Sequence, residues 1–424
     1  MPHTCNPSRR FRKNLLILAA MAAFAPHGSW ALDLLQAPPG TVQAYVAPNV
    51  ILSLDDSTSM NTKDMIKVGN NWTKTRTQVL IDSLKEVFND KDLVPDNKMR
   101  LAWQSMSNCT KVDSKAWAPA LGPTAAQSTS SSYPNAMRVL DATHRANFLK
   151  YVANYNACGS TPTHLMVKRA DDYMRAPLHI NGPWATKPGG TTSENKKYLG
   201  CRRNYHILLT DGNWNGQYSS KSENINTDPI NFDNQDSTNN INGASGTNRP
   251  TKTYTPFFLP DGTAYERSNP QTWVYRDIDM PTFNSSWHGD YAKQYISSLS
   301  DWAFKSWATN LQDPEELTGS IETLPEYNNA PRTETFTNPK SGKTATLEKY
   351  WNPRYNPATW PHMVTFTIGF SSDALPDTQY RPVGNSETTT TPINIGNYWN
   401  ADLTKPLWSG LSTDTSKENS QSPK

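Results

Sequence analysis

The chain has 424 residues, is 36% hydrophobic and carries 41 Lys and Arg against 38 Asp and Glu, a formal charge of +3 at pH 7. Four of the basic residues, Arg9, Arg10, Arg12 and Lys13, lie in the acid-free segment 1–31, and 41 less these four leaves 37 against 38. That balance excludes the basic stripe of a nucleic-acid binder, and 14 Trp with 18 Tyr supply core material despite the low hydrophobic fraction.

The same four basic residues precede the apolar run NLLILAAMAAFA and the small-residue site at Ser29 and Ala31. This is the pattern of a Sec-type signal peptide over residues 1–31, too short for a stable membrane anchor. No later segment is apolar enough to cross a bilayer, so the expected product is exported, with no transmembrane segment after signal cleavage. Cys5 leaves with the signal, and Cys109, Cys158 and Cys201 remain in an oxidising compartment, enough for one disulfide and one further thiol.

Residues 32–48 read as a linker. NVILSLD then predicts a buried strand over 49–55, and Leu80, Leu84 and Val87 at helical spacing predict an amphipathic helix between Thr73 and Asn89. NDKDLVPDN, residues 89–97, lacks the Gly and terminal Glu of an EF-hand loop and reads as a solvated turn. KMRLAWQSM predicts a strand over 98–106, and residues 142–155 a helix with Phe148, Val152 and Tyr155 on one face. A third helix carries Met166, Ala170 and Tyr173, and NYHILLTDG, residues 204–212, is a strand stopping at an acid. A long helix over 291–311 aligns Ile296, Leu299, Ala303 and Trp307, and HMVTFTIGF, residues 362–370, is a last strand. Strand and helix alternate, which implies parallel strands with crossover helices: an α/β, doubly wound, mostly parallel sheet.

Between these elements lie stretches rich in Ser, Thr, Asn, Gly and Pro, read as polar loop insertions at about 177–200 and 213–290. The aromatic punctuation of TYTPFFLPDGTAYERSNPQTWVYRD predicts that part of the larger insertion packs as a subdomain. The domain is expected to run over 49–410, with a disordered tail at 411–424. His206 and His362 sit in or beside apolar strands and are expected as hydrogen-bonded core histidines, and Trp302, Phe304 and Trp307 as helix packing. No zinc H-x-x-x-H pair, G-x-S-x-G elbow or phosphate-binding G-x-x-x-x-G-K-[ST] loop is present.

Ligands of open α/β sheets bind beyond the carboxyl ends of the strands. Three such places carry hard oxygen donors: Asp55, Ser57 and Ser59 in DDSTS, Thr161 in GSTP, and Asp211 in TDG. Hydroxyl and carboxylate oxygens suit Mg²⁺, or Mn²⁺ or Ca²⁺. Each residue has a plainer alternative: Asp55 and the serines as a helix-capping cluster, Thr161 as the cap of a helix starting near Thr163, Asp211 as a turn residue.

In this order, D-x-S-x-S, Thr and Asp resemble the metal-ion-dependent adhesion site of von Willebrand factor type A domains. The resemblance implies direct coordination by Ser57 and Ser59, and coordination by Asp55, Thr161 and Asp211 directly or through water, with a partner's carboxylate completing the sphere. Asp56 and Trp214 are expected as possible ligand contacts. Cys158 and Cys201 lie close in sequence to Thr161 and Asp211, and the favoured pairing joins them.

VILSLDDSTSM, CRRNYHILLTDGNWNG and NPATWPHMVTFTIGF together resemble the N-terminal region of the PilC/PilY family of type IV pilus tip-associated adhesins and assembly factors, from about Asn49 to Trp408. Family members usually continue into a C-terminal β-propeller with a calcium-binding loop; this sequence ends at STDTSKENSQSPK without one, so calcium-gated control of retraction is not expected of it. The resemblance implies a non-enzymatic, secreted factor at the pilus tip, outer-membrane surface or extracellular space. Its partners would be pilins or minor pilins and a host-cell or surface ligand. Two other readings remain: a type A surface protein unrelated to pili, and a metal-assisted hydrolase with Asp55 or Asp56 as base.

Overall fold

The computed structural model of the chain describes residues 46–68, 71–128, 133–159, 161–191, 198–211, 257–265, 269, 271, 299–337, 344–352 and 354–369. The first strand, β1 (Asn49–Leu54), is buried along its whole length, as a central parallel strand must be. After a short 3-10 turn over Thr58–Asn61 come the hairpin of β2 (Lys63–Val68) and β3 (Asn71–Thr75) and the helix α1 (Arg76–Asn89). Then follow β4 (Arg100–Ser105), the small hairpin β5 (Lys111–Val112) and β6 (Lys115–Ala116), α2 (Pro123–Gln127), β7 (Arg138–Val139), α3 (Ala142–Ala153) and α4 (Thr163–Met174). The chain continues through β8 (Asn204–Thr210), β9 (Phe257–Phe258), β10 (Ala264–Tyr265), α5 (Leu299–Ala308), α6 (Pro325–Asn328), the hairpin β11 (Thr333–Thr337) and β12 (Thr344–Glu348), and β13 (Met363–Gly369).

The central sheet has the order β13-β8-β1-β4-β7. The four strands β13, β8, β1 and β4 are parallel, and β7 closes one edge antiparallel to β4. The chain moves outward from β1 through β4 to β7, then returns to the other side of β1 for β8 and β13. Strand order therefore reverses at β1, which places the ligand-binding crevice of such sheets beyond the ends of β1 and β8.

Period-two alternation sorts the strand residues onto two faces. Val50, Leu52, Leu54, Leu101, Trp103 and Leu209 pack with Leu80, Leu84 and Phe88 of α1 and Phe148, Tyr151 and Val152 of α3. Ile51, Ala102 and Met363 face Ala170 and Tyr173 of α4, and Leu208 packs with Trp302 of α5. Helices cover both faces, and the doubly wound, mostly parallel α/β sheet expected from the alternation is what the chain adopts. The second face also buries a polar relay: His206 Nε2 is 2.7 Å from Ser53 Oγ, and Gln104 Nε2 donates to that Ser53 hydroxyl and to the Met166 carbonyl. His362 lies between the Trp360 carbonyl and Asn356, so both strand histidines are core groups.

Several expectations are corrected. Helix α1 begins three residues later than Thr73 because Asn71–Thr75 pairs as β3, and its buried face is Leu80, Leu84 and Phe88, leaving Val87 39% exposed. The described part of the long helix is Leu299–Ala308; it turns Trp302, Phe304 and Ala308 inward and leaves Leu299, Ala303 and Trp307 half-buried, while Ile296 lies outside the described residues. The region 177–200, expected as a surface insertion, is partly core. Residues 181–185 are buried, and Trp184 donates its indole N–H to the Met174 carbonyl at 2.8 Å. One large anchor outweighs the polar composition around it. Within 213–290, the described hairpin β9–β10 buries Leu259 and Tyr265 against Phe304 and Trp351, so this part packs on the domain itself. No described helix is long and apolar enough to cross a membrane.

Candidate functional site

The carboxyl edge of the sheet is built outward from the end of β1. Asp55 continues the ladder by donating its N–H to the Leu209 carbonyl, and its carboxylate then ties three segments together. Oδ1 accepts the Ser57 N–H at 3.0 Å; Oδ2 accepts the Thr210 hydroxyl at 2.6 Å and the Asp211 N–H at 3.3 Å. Tyr155, on the chain leaving α3, donates its hydroxyl to the Asp55 carbonyl. Burial, and next the charge of Asp211, push the Asp55 carboxyl up to about 6, against the lowering effect of the Ser57 and Thr210 hydrogen bonds.

Ser57 precedes the 3-10 turn but makes no side-chain cap; its hydroxyl lies 2.9 Å from that of Ser59 instead. The capping alternative therefore does not describe the Ser57 side chain. Ser57 is buried and Ser59 half-buried beyond the end of β1. Thr58 holds the Gly159 carbonyl with both its N–H and its hydroxyl, and the Cys158 N–H donates to the Asp56 carbonyl at 2.6 Å. This zip brings the loop of Thr161 alongside that of Asp55. It needs glycine at 159, where φ is +82° and a Cβ would come within 3.1 Å of the Ser107 hydroxyl. Thr161 is buried; the N-cap of α4 is Pro162, so Thr161 does not fill the capping position of its alternative reading.

Asp211 follows β8 and is 2% exposed. Its Oδ2 accepts from Arg76 Nη1 at 2.8 Å, and its Oδ1 has no hydrogen-bond partner among the described residues. Arg76 turns its remaining donors on Asp64, with Nε 3.0 and 3.1 Å from the two carboxylate oxygens and Nη2 at 2.5 Å. Burial alone would lower the Arg76 pKa, but hydrogen bonds and charge from Asp64 and Asp211 reverse the sign and raise it. Arg76 and Asp64 went unread in the sequence. The available signal was weak: a cation at the first position of a helix opposes the helix dipole, so Arg76 had to be there for another partner.

Two expectations about site residues are corrected. Asp56, expected as a ligand contact, is fully buried and accepts the N–H groups of Ser107 at 2.8 Å and Cys109 at 2.9 Å. Burial raises its carboxyl and these hydrogen bonds pull it back, so it fastens the loop after β4 rather than facing a ligand. The disulfide joins Cys109 to Cys158, with Cα atoms 5.8 Å apart, and Cys201 is free. The favoured Cys158–Cys201 pair fails because Cys201 precedes β8 whereas Asp211 follows it. Seven strand residues, roughly 23 Å, separate the two ends. Trp214 lies outside the described residues.

Asp55, Ser57, Thr161 and Asp211 are thus all buried at one sheet edge, with Ser59 half-buried beside them. Among the described residues no three His, Cys, Asp or Glu gather, so a cation here draws on hydroxyls as well as carboxylates. The donors fit Mg²⁺ on two observations. Ligands about 2.1 Å from an octahedral ion and adjacent to each other lie about 3 Å apart, and the two serine hydroxyls are 2.9 Å apart. The buried Oδ1 of Asp211 is also left with a lone pair to give.

No protein-family model matches the chain. The chain is similar to the protein named type IV pilus biogenesis factor PilY1 from three strains of Pseudomonas aeruginosa. Identity is 28% over 326 residues for strain UCBPP-PA14, covering 77% of this chain and 20% of the relative. For strain PAK it is 30% over 241 residues, covering 57% and 15%; for strain PAO1 it is 30% over 278 residues, covering 65% and 17%. The chain spans a fifth or less of the length of these relatives. The resemblance to the PilC/PilY family carried by its strand-end motifs is borne out.

Proposed function

We propose that this chain is an exported type IV pilus biogenesis and adhesion factor, without enzymatic activity, whose α/β domain binds a partner through a divalent cation at the edge formed by Asp55, Ser57, Ser59, Thr161 and Asp211. Similarity to PilY1 over 57–77% of the chain supports the pilus assignment. The observation that carries the metal reading is the serine pair: two hydroxyls 2.9 Å apart, at a strand-order reversal, beside a buried carboxylate oxygen without a partner.

A bound Mg²⁺ would supply an electrophilic centre able to accept a carboxylate from the partner. The protein's residues do the rest. Asp55 fixes the relative position of the β1 and β8 loops, Ser57 and Ser59 present adjacent oxygens, and the Thr58–Gly159 zip sets Thr161 beside them. Loops on a rigid sheet are where recognition concentrates. We favour this reading over a metal-assisted hydrolase because Asp56 accepts backbone N–H groups of the loop after β4 and both oxygens of Asp55 accept hydrogen bonds.

The test is an immunoblot of pili sheared from producing cells, comparing the wild-type chain with Ser59→Ala. Asp55→Ala is a poorer probe, since it strands three donors that Asp55 now satisfies. Wild-type chain on the pili with the variant depleted supports both parts of the reading. Both chains equally on pili argue against a metal-dependent attachment, and absence of the wild-type chain from pili argues against the pilus assignment. Host-cell or surface binding that persists in a chelator would also count against the metal site.

A further inference from the structure

We propose that Arg76 is a resident cation of the Asp55–Asp211 edge, competing with a divalent ion for Asp211 under the control of Asp64. The inference rests on the metal reading above and adds its regulation. Each guanidinium nitrogen is engaged: Nε and Nη2 hold Asp64, and Nη1 holds Asp211 at 2.8 Å. A planar group gripped on one side by a carboxylate cannot swing off Asp211 without breaking its bonds to Asp64. The helix fixes the same group from behind, because Arg76 is the first residue of α1 and its own N–H donates to the Thr62 carbonyl.

Charge gives the direction. Asp211 has one carboxylate to share: Oδ2 goes to Arg76, and Oδ1 is the buried oxygen left over. A divalent ion taking Oδ1 must sit within a few ångströms of a positive guanidinium in a site with little water, where like charges repel more strongly than in solution. Asp64 moderates that repulsion by neutralising the far side of Arg76. Its side chain is 13% exposed, so its charge is poorly screened. Removing Arg76 must therefore tighten metal binding, and removing the charge of Asp64 must weaken it by turning the guanidinium more fully onto Asp211. A role in packing alone predicts no such opposition of sign.

The experiment is isothermal titration of Mg²⁺ into the chelator-stripped full chain as wild type, Arg76→Met and Asp64→Asn. The expected result is binding to Arg76→Met about tenfold tighter than to wild type, and weaker binding to Asp64→Asn. In chelator, Arg76→Met should melt below wild type, and Mg²⁺ should raise its melting temperature by more than it raises that of wild type. Binding by Arg76→Met with none by wild type supports the proposal in its strongest form, in which Arg76 stands in for the ion. Equal or weaker binding by Arg76→Met beside a wild type that binds overturns the competition and leaves the metal site standing. No binding by any of the three overturns both. Should Arg76→Met fail to fold, Asp64→Asn decides alone: weaker binding supports the proposal, and unchanged or tighter binding overturns it.

Discussion

Asp55 and Asp56 are neighbours with opposite duties. Asp55 points across the sheet edge to Thr210 and Asp211, and Asp56 points back to the N–H groups of Ser107 and Cys109. Alternation at a strand end predicts that the two diverge, but not which one meets solvent; that depends on the loop after β4, which folds over Asp56. Asp56→Ala should take the acceptor from the half-buried N–H groups of Ser107 and Cys109 and cost on the order of 2 kcal/mol in urea unfolding. Ser59→Ala should change stability by less than about 1 kcal/mol, because among the described residues its hydroxyl bonds only to Ser57, while losing Mg²⁺ binding in the same titration. The donors Asp55, Ser57, Ser59 and Asp211 were legible because each follows a strand end, and Thr161 because it stands in the loop before α4 in the order that the resemblance expects. Arg76 and Asp64 were not, since they come from a hairpin and a helix start whose approach to Asp211 is a tertiary fact.

At the scale of elements, helix α1 sets the position of Arg76. Its N-terminus is closed by a capping box in which Thr75 accepts from the Gln78 N–H and the Gln78 side chain accepts from the Thr75 N–H. Thr75→Ala should cost about 1 kcal/mol of stability and, by fraying the first turn, loosen the Arg76–Asp211 pair. The periodic pattern located α1 to within three residues but put Val87 on its inner face; contact with α3, where Phe148 lies 4.5 Å from Phe88 between ring centres, chooses Phe88. The hairpin β2–β3 escaped because Met65 and Ile66 are adjacent, so β2 lacks the period-two alternation that marks a strand. The bridge Cys109–Cys158 closes 49 residues that include β7 and α3. Replacing both cysteines by serine should destabilise the domain by about 4 kcal/mol in the chain-entropy estimate, measured by chemical unfolding. No spacing rule could choose among three cysteines; the choice follows from which loops share the carboxyl edge.

Over the whole molecule, burial of ionisable groups predicts the response to acid. Burial holds His144, His206 and His362 down to about 4 and His164 to about 3, below the ordinary value of 6.5. Between about pH 6.5 and 4 the unfolded chain binds protons at these sites and the folded chain does not, so stability is full above 6.5 and falls as pH drops. Asp55, pushed up to about 6, and Asp56, also raised by its burial, work in the opposite direction, and four groups outweigh two. The melting temperature should fall steadily from pH 7 to pH 4.5; a rise would show that the histidines are protonated in the fold. Arg100 is 1% exposed, and its Nε, Nη1 and Nη2 have no hydrogen-bond partner among the described residues. Replacing an unpaired buried charge by an apolar side chain of similar length should be neutral or stabilising, so Arg100→Met should melt no lower than wild type. The parallel sheet was legible from the alternation of elements alone, whereas the anchoring of 181–185 by Trp184 was hidden by a composition that reads as loop.

The central claim is that the edge formed by Asp55, Ser57, Ser59, Thr161 and Asp211 holds a divalent cation. Crystals of the chain grown with Mn²⁺ and measured at the manganese absorption edge test it most directly. An anomalous peak is expected about 2.2 Å from both the Ser57 and Ser59 hydroxyls, with Asp211 Oδ1 turned toward it. A map with no peak there, the two serines still bonded to each other and Arg76 still on Asp211, would contradict it.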